Sequence, residues 1–95
     1  MEKIIWSDLA SEDLQGIYKY ICKDSELYAI RTVERIINKI EILNTHASAG
    51  RMVPEFEQKN IRELLEGNYR IVYRINNNDS IGIVRIHHAA RLLKD

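Results

Sequence analysis

Cysteine is almost absent: Cys22 is the only one, so no internal disulfide can close and a reducing compartment, the cytoplasm by default, is expected. Proline is limited to Pro54 and glycine to four positions, which excludes linker-rich and low-complexity architectures. No apolar run reaches the roughly 20 residues that span a bilayer, and the chain does not open with the charged and then apolar segments of a secretion signal. No membrane role is expected. Neither sign of charge dominates, since 14 Lys and Arg balance 14 Asp and Glu. That balance speaks against a protein that gathers nucleic acid through many phosphate contacts.

What is present is enough apolar material for one core. With 45% hydrophobic residues in 95, the chain buries roughly 60–70% of its unfolded surface and forms a single domain over residues 1–95. Charge is distributed unevenly along it. Residues 1–50 carry six basic and eight acidic side chains, residues 51–95 carry eight and six, and six of the eight arginines lie in the second half.

The stretch "KIIWS" (3–7) is β-branched and aromatic and reads as a strand, with Ser7 and Asp8 placed to cap a following helix. Ala10, Leu14, Ile17 and Ile21 recur at helical steps from Asp8 to about Lys23. Asp24 and Ser25 interrupt the pattern. Ala29, Val33, Ile36, Ile37, Ile40 and Leu43 then mark a second helix to about Asn44, and so short a join makes an antiparallel helical hairpin. Residues 45–60 hold Gly50 and Pro54 and no sustained period, which predicts a loop. The period then becomes two, giving strands at 61–65, 68–75 and 80–87 joined by Glu66-Gly67-Asn68 and by Asn76 to Asp79.

The expected class is therefore α+β, in the order β-α-α-β-β-β, with the hairpin packed on one face of an antiparallel sheet and the other face open. Strand parity sorts the side chains between the two faces. Tyr69, Ile71, Tyr73 and Ile75 share one, and Arg70, Val72 and Arg74 the other, exposed one. In the last strand Arg85 and His87 are grouped with Ile81 and Ile83, opposite Val84, Ile86 and His88. The expectation that follows is an open surface gathering Arg62, Arg70, Arg74, Arg85 and His87. Trp6 and the tyrosines fall at core periods and are expected to pack rather than to stack on bases.

The segments "DLQGIYKYI" (13–21), "GRMVPE" (50–55), "IRELL" (61–65), "NYRIVYRI" (68–75) and "IVRIHHAARLL" (83–93), taken in order and spacing, resemble the RelE/ParE superfamily of bacterial type II toxins. The resemblance covers nearly the whole chain. It implies a growth-inhibiting toxin, associated with plasmid stabilisation, that a cognate antitoxin neutralises. Two kinds of target occur in that superfamily: DNA gyrase for ParE-like members, and messenger RNA in the ribosome for RelE-like and YoeB-like ones.

If this chain cut RNA without a metal, the resemblance would make Glu55 the general base, Arg70 the phosphate-stabilising cation and His87 a catalytic histidine. Such chemistry needs a base for the 2′-hydroxyl, an acid for the leaving oxygen and cations for the phosphate. The fit to that branch is partial. His88 stands where YoeB-like members have a near-terminal tyrosine, and "AARLLKD" continues beyond it; Lys59 is the only lysine between Lys39 and Lys94, against the lysine-rich set of RelE-like nucleases. The neutral charge also disfavours the ribosome, so the gyrase-directed reading leads. The RNA-cleaving reading and a non-toxic member that only binds an antitoxin stand beside it.

Arg51, Arg62, Arg74 and Arg85 are the candidate binding residues, because guanidinium pairs with carboxylates of a partner as readily as with phosphates. Each also has a plainer role as a solvated or internally paired arginine, as has Arg70: Arg70 with Glu63 across strands, Arg62 with Glu63 and Arg51 with Glu55 are the pairings expected. A second copy of the chain is a further candidate partner. No metal or other cofactor is expected, since adjacent histidines in a strand diverge and no ligand cluster surrounds them.

Overall fold

Residues 3–89 are described here from a computed structural model. Strand β1 (Ile4–Trp6) leads into α1 (Asp8–Cys22) and α2 (Glu26–Glu41), the latter running on into a 3-10 turn at Ile42–Asn44. Four strands follow: β2 (Arg51–Met52), β3 (Ile61–Glu66), β4 (Tyr69–Ile75) and β5 (Ile81–His88). They form one sheet in the order β1-β5-β4-β3-β2.

Both helices start where hydroxyl side chains can cap them. Ser7 Oγ accepts the Ala10 N–H at 2.9 Å, and Ser25 Oγ accepts that of Tyr28 at 3.1 Å, each satisfying one of the free N–H groups at a helix start. The Ser7 hydroxyl also donates to the Val84 carbonyl at 2.8 Å, which fixes the start of α1 to β5.

Two expectations about the sheet are corrected. It is mixed rather than wholly antiparallel, because β1 pairs parallel with β5, Ile4 opposite Ile81 and Trp6 opposite Ile83. The stretch 45–60 is not all loop either, since Arg51 and Met52 pair with Glu63 and Arg62 as a short edge strand.

The main core lies between the helices and one sheet face. Ala10, Ile36, Ile40 and Leu43 pack there on Leu64, Ile71, Tyr73, Ile81, Ile83 and Ile86. The opposite face is partly covered as well. Val53 and Phe56, from the segment between β2 and β3, seat on Ile61, Val72 and Val84 as a second, smaller apolar cluster.

Tyr73, fully buried, ties the segment before β2 to the core: its hydroxyl donates to the Ala47 carbonyl at 2.7 Å and accepts the Gly50 N–H at 2.9 Å. A Cβ on Gly50 would stand 2.5 Å from the Glu63 carbonyl and 2.7 Å from the Tyr73 ring. The chain passes there only because residue 50 has no side chain.

A bulge alters the parity of β5. Val72 pairs with Arg85 but Tyr73 with Ile83, so Val84 is the extra residue. Ile81 and Ile83 before it and Ile86 after it all reach the helix-covered core, whereas His87 lies opposite Arg70. Arg85 and His87 thus do not share a face with Ile81 and Ile83.

Two aromatic side chains depart from the core reading. Tyr20 and Tyr28 are 72% and 56% exposed.

Candidate functional site

Turn chemistry sets the register that builds the charged site. Gly67, with φ of 57°, and Asn68 close the β3–β4 hairpin so that Glu66 meets Tyr69. Leu65 then lies opposite Arg70, and Glu63 opposite Val72, which makes Glu63 and Arg70 diagonal neighbours on the face away from the helices.

Arg70 is 5% exposed and carries two carboxylates. Its Nε donates to Glu63 Oε1 at 2.7 Å, while Nη1 and Nη2 donate to the two oxygens of Glu55 at 2.8 Å each. Glu63 is 1% exposed, and its second oxygen accepts Arg51 Nε at 2.7 Å. The result is a chain Arg51–Glu63–Arg70–Glu55 of alternating sign, buried at its centre and open at the Arg51 end.

The Glu55 hydrogen bonds hold the Arg70 guanidinium well above the ordinary arginine range, against the opposing effect of burial and with the help of Glu63. His87 is buried beside this network as the pairing partner of Arg70. The structure therefore brings Glu55, Arg70 and His87 together, with Arg51 at the rim. A depression lined by Arg51, Pro54, Glu55, Leu65, Arg70 and Ala89 opens over the Arg51, Glu55 and Arg70 part of this group, whereas His87 lines a separate one with Asp13, Gly16 and Tyr20.

The other candidate arginines lie elsewhere. Arg62 pairs with Tyr73 and so sits on the opposite, helix-side face, where its Nη1 donates to the Gly50 carbonyl at 2.9 Å. It does not join Arg70.

Arg85 turns to the edge of β5 beyond the end of β1. Its Nε and Nη2 donate to the Asp13 carboxylate on α1 at 2.8 and 3.0 Å, and one of the same oxygens accepts the Ile86 N–H at 2.9 Å. Burial would raise the Asp13 pKa, but the Arg85 hydrogen bonds, the Ile86 N–H and the charges of Arg85 and His87 outweigh it and hold the carboxyl below its usual range. Asp13 thus closes an otherwise free strand edge.

Arg74 is exposed opposite Ile61 and Gly82, four residues and so about 13 Å along β4 from Arg70. His88 points away from His87 and meets Tyr69 edge to face, with ring centroids 5.9 Å apart.

Glu63, the centre of the network, is visible in the sequence only as a possible partner of Arg70 or of Arg62. Its signal is the two-residue Gly67–Asn68 turn, which fixes the diagonal. The pairing of Arg51 falls on Glu63 and not on Glu55. Among the described residues no group of three His, Cys, Asp or Glu side chains could hold a metal, and no helix is long and apolar enough to cross a membrane.

The two-helix layer on a five-stranded mixed sheet is an α+β fold with RelE/ParE-like structural neighbours. The sequence model for the ParE toxin of type II toxin–antitoxin systems, parDE, matches residues 4–93, and the chain belongs to that family. Among solved structures, the chromosomal ParDE system from P. aeruginosa is 27% identical, with a TM-score of 0.76 over 93% of this chain and 96% of that one. The RelBE2 toxin–antitoxin complex from Mycobacterium tuberculosis shares the fold at 19% identity and a TM-score of 0.57, covering 92% of this chain and 96% of that one. The DinJ–YafQ complex from E. coli shares it at 12% identity and 0.63, covering 99% and 100%. No curated protein sequence matches the chain.

Proposed function

We propose that the chain is a growth-inhibiting toxin that acts by binding, with DNA gyrase as its target, and that an antitoxin encoded beside it neutralises it in the bacterial cytoplasm. The family match along residues 4–93 and the likeness to a ParDE system support the toxin–antitoxin setting.

The observation that carries binding over catalysis is the state of Arg70. Its three nitrogens are engaged by Glu55 and Glu63, and both Glu55 oxygens are engaged by Arg70. A base must be able to take a proton and a phosphate-binding cation must be able to meet an anion, and here each occupies the other. The test is purified protein in a gyrase supercoiling assay beside a translation-coupled message-cleavage assay. Inhibition of supercoiling with intact messages is expected; codon-linked cuts with unaffected gyrase would sink the proposal.

The convergence of Glu55, Arg70 and His87 favours one second reading, a metal-independent endoribonuclease in which Arg70 changes partners when RNA binds. On that reading His87→Ala abolishes both cleavage and growth arrest while the fold is kept. On the gyrase reading the same variant remains toxic.

A further inference from the structure

Two strand edges are finished differently. At the end of β5 the Asp13 carboxylate takes the Ile86 N–H. The outer edge of β3 is only partly covered. Pairing alternates along an antiparallel strand, so every second residue turns its N–H and C=O to one side. Ile61, whose C=O accepts the Val53 N–H at 3.3 Å, and Glu63, opposite Arg51, turn theirs towards β2. Leu65 is next in that series. Strand β2 stops short of it, because Gly50 bends off to place its N–H on the Tyr73 hydroxyl. Among the described residues Leu65 thus has a ladder partner on one side alone, Arg70, and its outward N–H and C=O form an open edge.

Beside this edge the surface is apolar with a cation at its rim. Leu65 is 47% exposed and lines the far-face depression with Pro54 and Ala89. Glu63 takes the Nε of Arg51 and orients it, while that side chain remains 61% exposed, which leaves Nη1 and Nη2 at its open end. The lining holds Arg51 and Arg70 against Glu55, with Glu63 buried beneath, so the charges cancel. A polyanion attracted through the summed field gains little here. A single carboxylate that bonds the Arg51 Nη donors directly gains a charge-assisted pair.

We infer that the outer edge of β3 at Leu65 is a docking site for an extended, acidic segment of a partner protein, which adds to the sheet in line with β2. Its backbone exchanges hydrogen bonds with the Leu65 N–H and C=O. Residues opposite each other in an antiparallel pair share a face, as do alternate residues of one strand. The residue opposite Leu65 therefore projects from the far face about 7 Å along from Arg51, where a glutamate reaches the guanidinium and lays its stem on Leu65 and Pro54. This deepens the reading that the far face binds rather than cuts, and it rests on that reading. Two backbone bonds and one ion pair make a weak contact for the segment alone.

Amide chemical shifts of the isotope-labelled full chain, followed during titration with the acetylated and amidated peptide Thr-Val-Glu-Val-Thr, test this. Saturable shifts centred on Leu65 and Arg51 at millimolar peptide are expected. The glutamine counterpart should bind roughly tenfold more weakly, and Arg51→Gln should remove that difference between the two peptides. N-methylation of the peptide's glutamate deletes the N–H that faces the Leu65 C=O and should abolish binding, with the protein unchanged. Absence of shifts at Leu65, equal binding of the glutamate and glutamine peptides, or an unaffected N-methyl peptide would each overturn the inference. So would a short oligouridylate that shifts the same amides at lower concentration, since the edge would then serve nucleic acid. Gyrase inhibition is read separately: it can persist when the peptide fails, and a chain without effect on supercoiling can still take the peptide.

Discussion

The two faces of the sheet are held by different physics. Towards the helices, Ile71, Tyr73, Ile81, Ile83 and Ile86 meet Ala10, Ile36, Ile40 and Leu43 in a layer sustained by apolar burial. On the far face a small cluster around Val53, Ile61 and Val72 sits beside the alternating chain Arg51–Glu63–Arg70–Glu55. Burial of apolar surface degrades gradually when a side chain is trimmed. A buried charge network is satisfied as a whole or costs heavily, since a lone buried ion loses its hydration without compensation. The far face is therefore the more fragile, although it buries less.

Arg70→Ala exposes that difference most strongly. It leaves Glu63 buried with Arg51 and takes the bidentate guanidinium from Glu55, at an expected cost of about 3–5 kcal/mol in urea unfolding. Replacing Glu55, Glu63 and Arg70 together by Leu, Leu and Met should cost far less, about 1 kcal/mol or nothing, because the buried charges go together and Arg51, largely exposed, keeps its hydration. If the single and triple variants lose the same stability, the network is ordinary packing and the contrast between the faces fails. On the helix side, Ile36→Ala should cost about 2–4 kcal/mol, set by the methyl groups removed and the cavity left behind, with no such rescue by neighbouring changes.

The joint between the faces comes next in size. Gly50→Ala drives a Cβ to 2.5 Å from the Glu63 carbonyl and 2.7 Å from Tyr73, which forces β2 to shift. Thermal unfolding should register about 1–3 kcal/mol of destabilisation. Tyr73→Phe keeps the ring in the core but leaves the Gly50 N–H and the Ala47 carbonyl without the hydroxyl, and about 1–2 kcal/mol is expected from denaturant titration. A Tyr73→Phe variant as stable as the parent would mean that the segment before β2 holds its place without this tie.

Much of the helix-side face was legible in the sequence, because local rules fix it. Ser7 and Ser25 announce their helices, and the alternation of Tyr69, Ile71, Tyr73 and Ile75 announces the inner side of β4. The far face depends on distant pairings. Nothing local announces that Val84 is a bulge, so simple parity grouped Arg85 and His87 with Ile81 and Ile83. Arg62 departs from the expected open surface for a different reason: the Gly67–Asn68 turn puts it opposite Tyr73, a pairing that the alternation within β3 alone does not contain. Glu55 and Phe56 fold over the sheet because β3 and β4 offer them Arg70 and Val72, partners that lie 15 or more positions later in the chain. Tyr20 and Tyr28 follow core periods yet remain exposed, since periodicity reports which helix face is apolar without saying that another layer covers all of it.

The smallest effect lies at the edge where the two faces meet. Asp13 holds Arg85 and the Ile86 N–H, and its folded-state pKa is lowered. In the unfolded chain an aspartate titrates near 3.9, on the order of its model-peptide value. Between that value and the lower folded one, the unfolded chain binds more protons than the folded one, so stability rises with pH there. The contribution of Asp13 is thus complete above the unfolded pKa and is lost as pH falls through the folded one. Asp13→Asn should lower stability at neutral pH and flatten this part of the acid limb, since the amide keeps an acceptor for one donor but has no charge to lose. Urea midpoints from pH 6 down to pH 2 (roughly the span over which carboxylates titrate) measure both curves. Converging curves at the acid end would fit an edge closed by a charge. Parallel curves would mean that shape and hydrogen bonding alone close it, leaving the Glu55–Arg70–Glu63 network as the site where charge governs this fold.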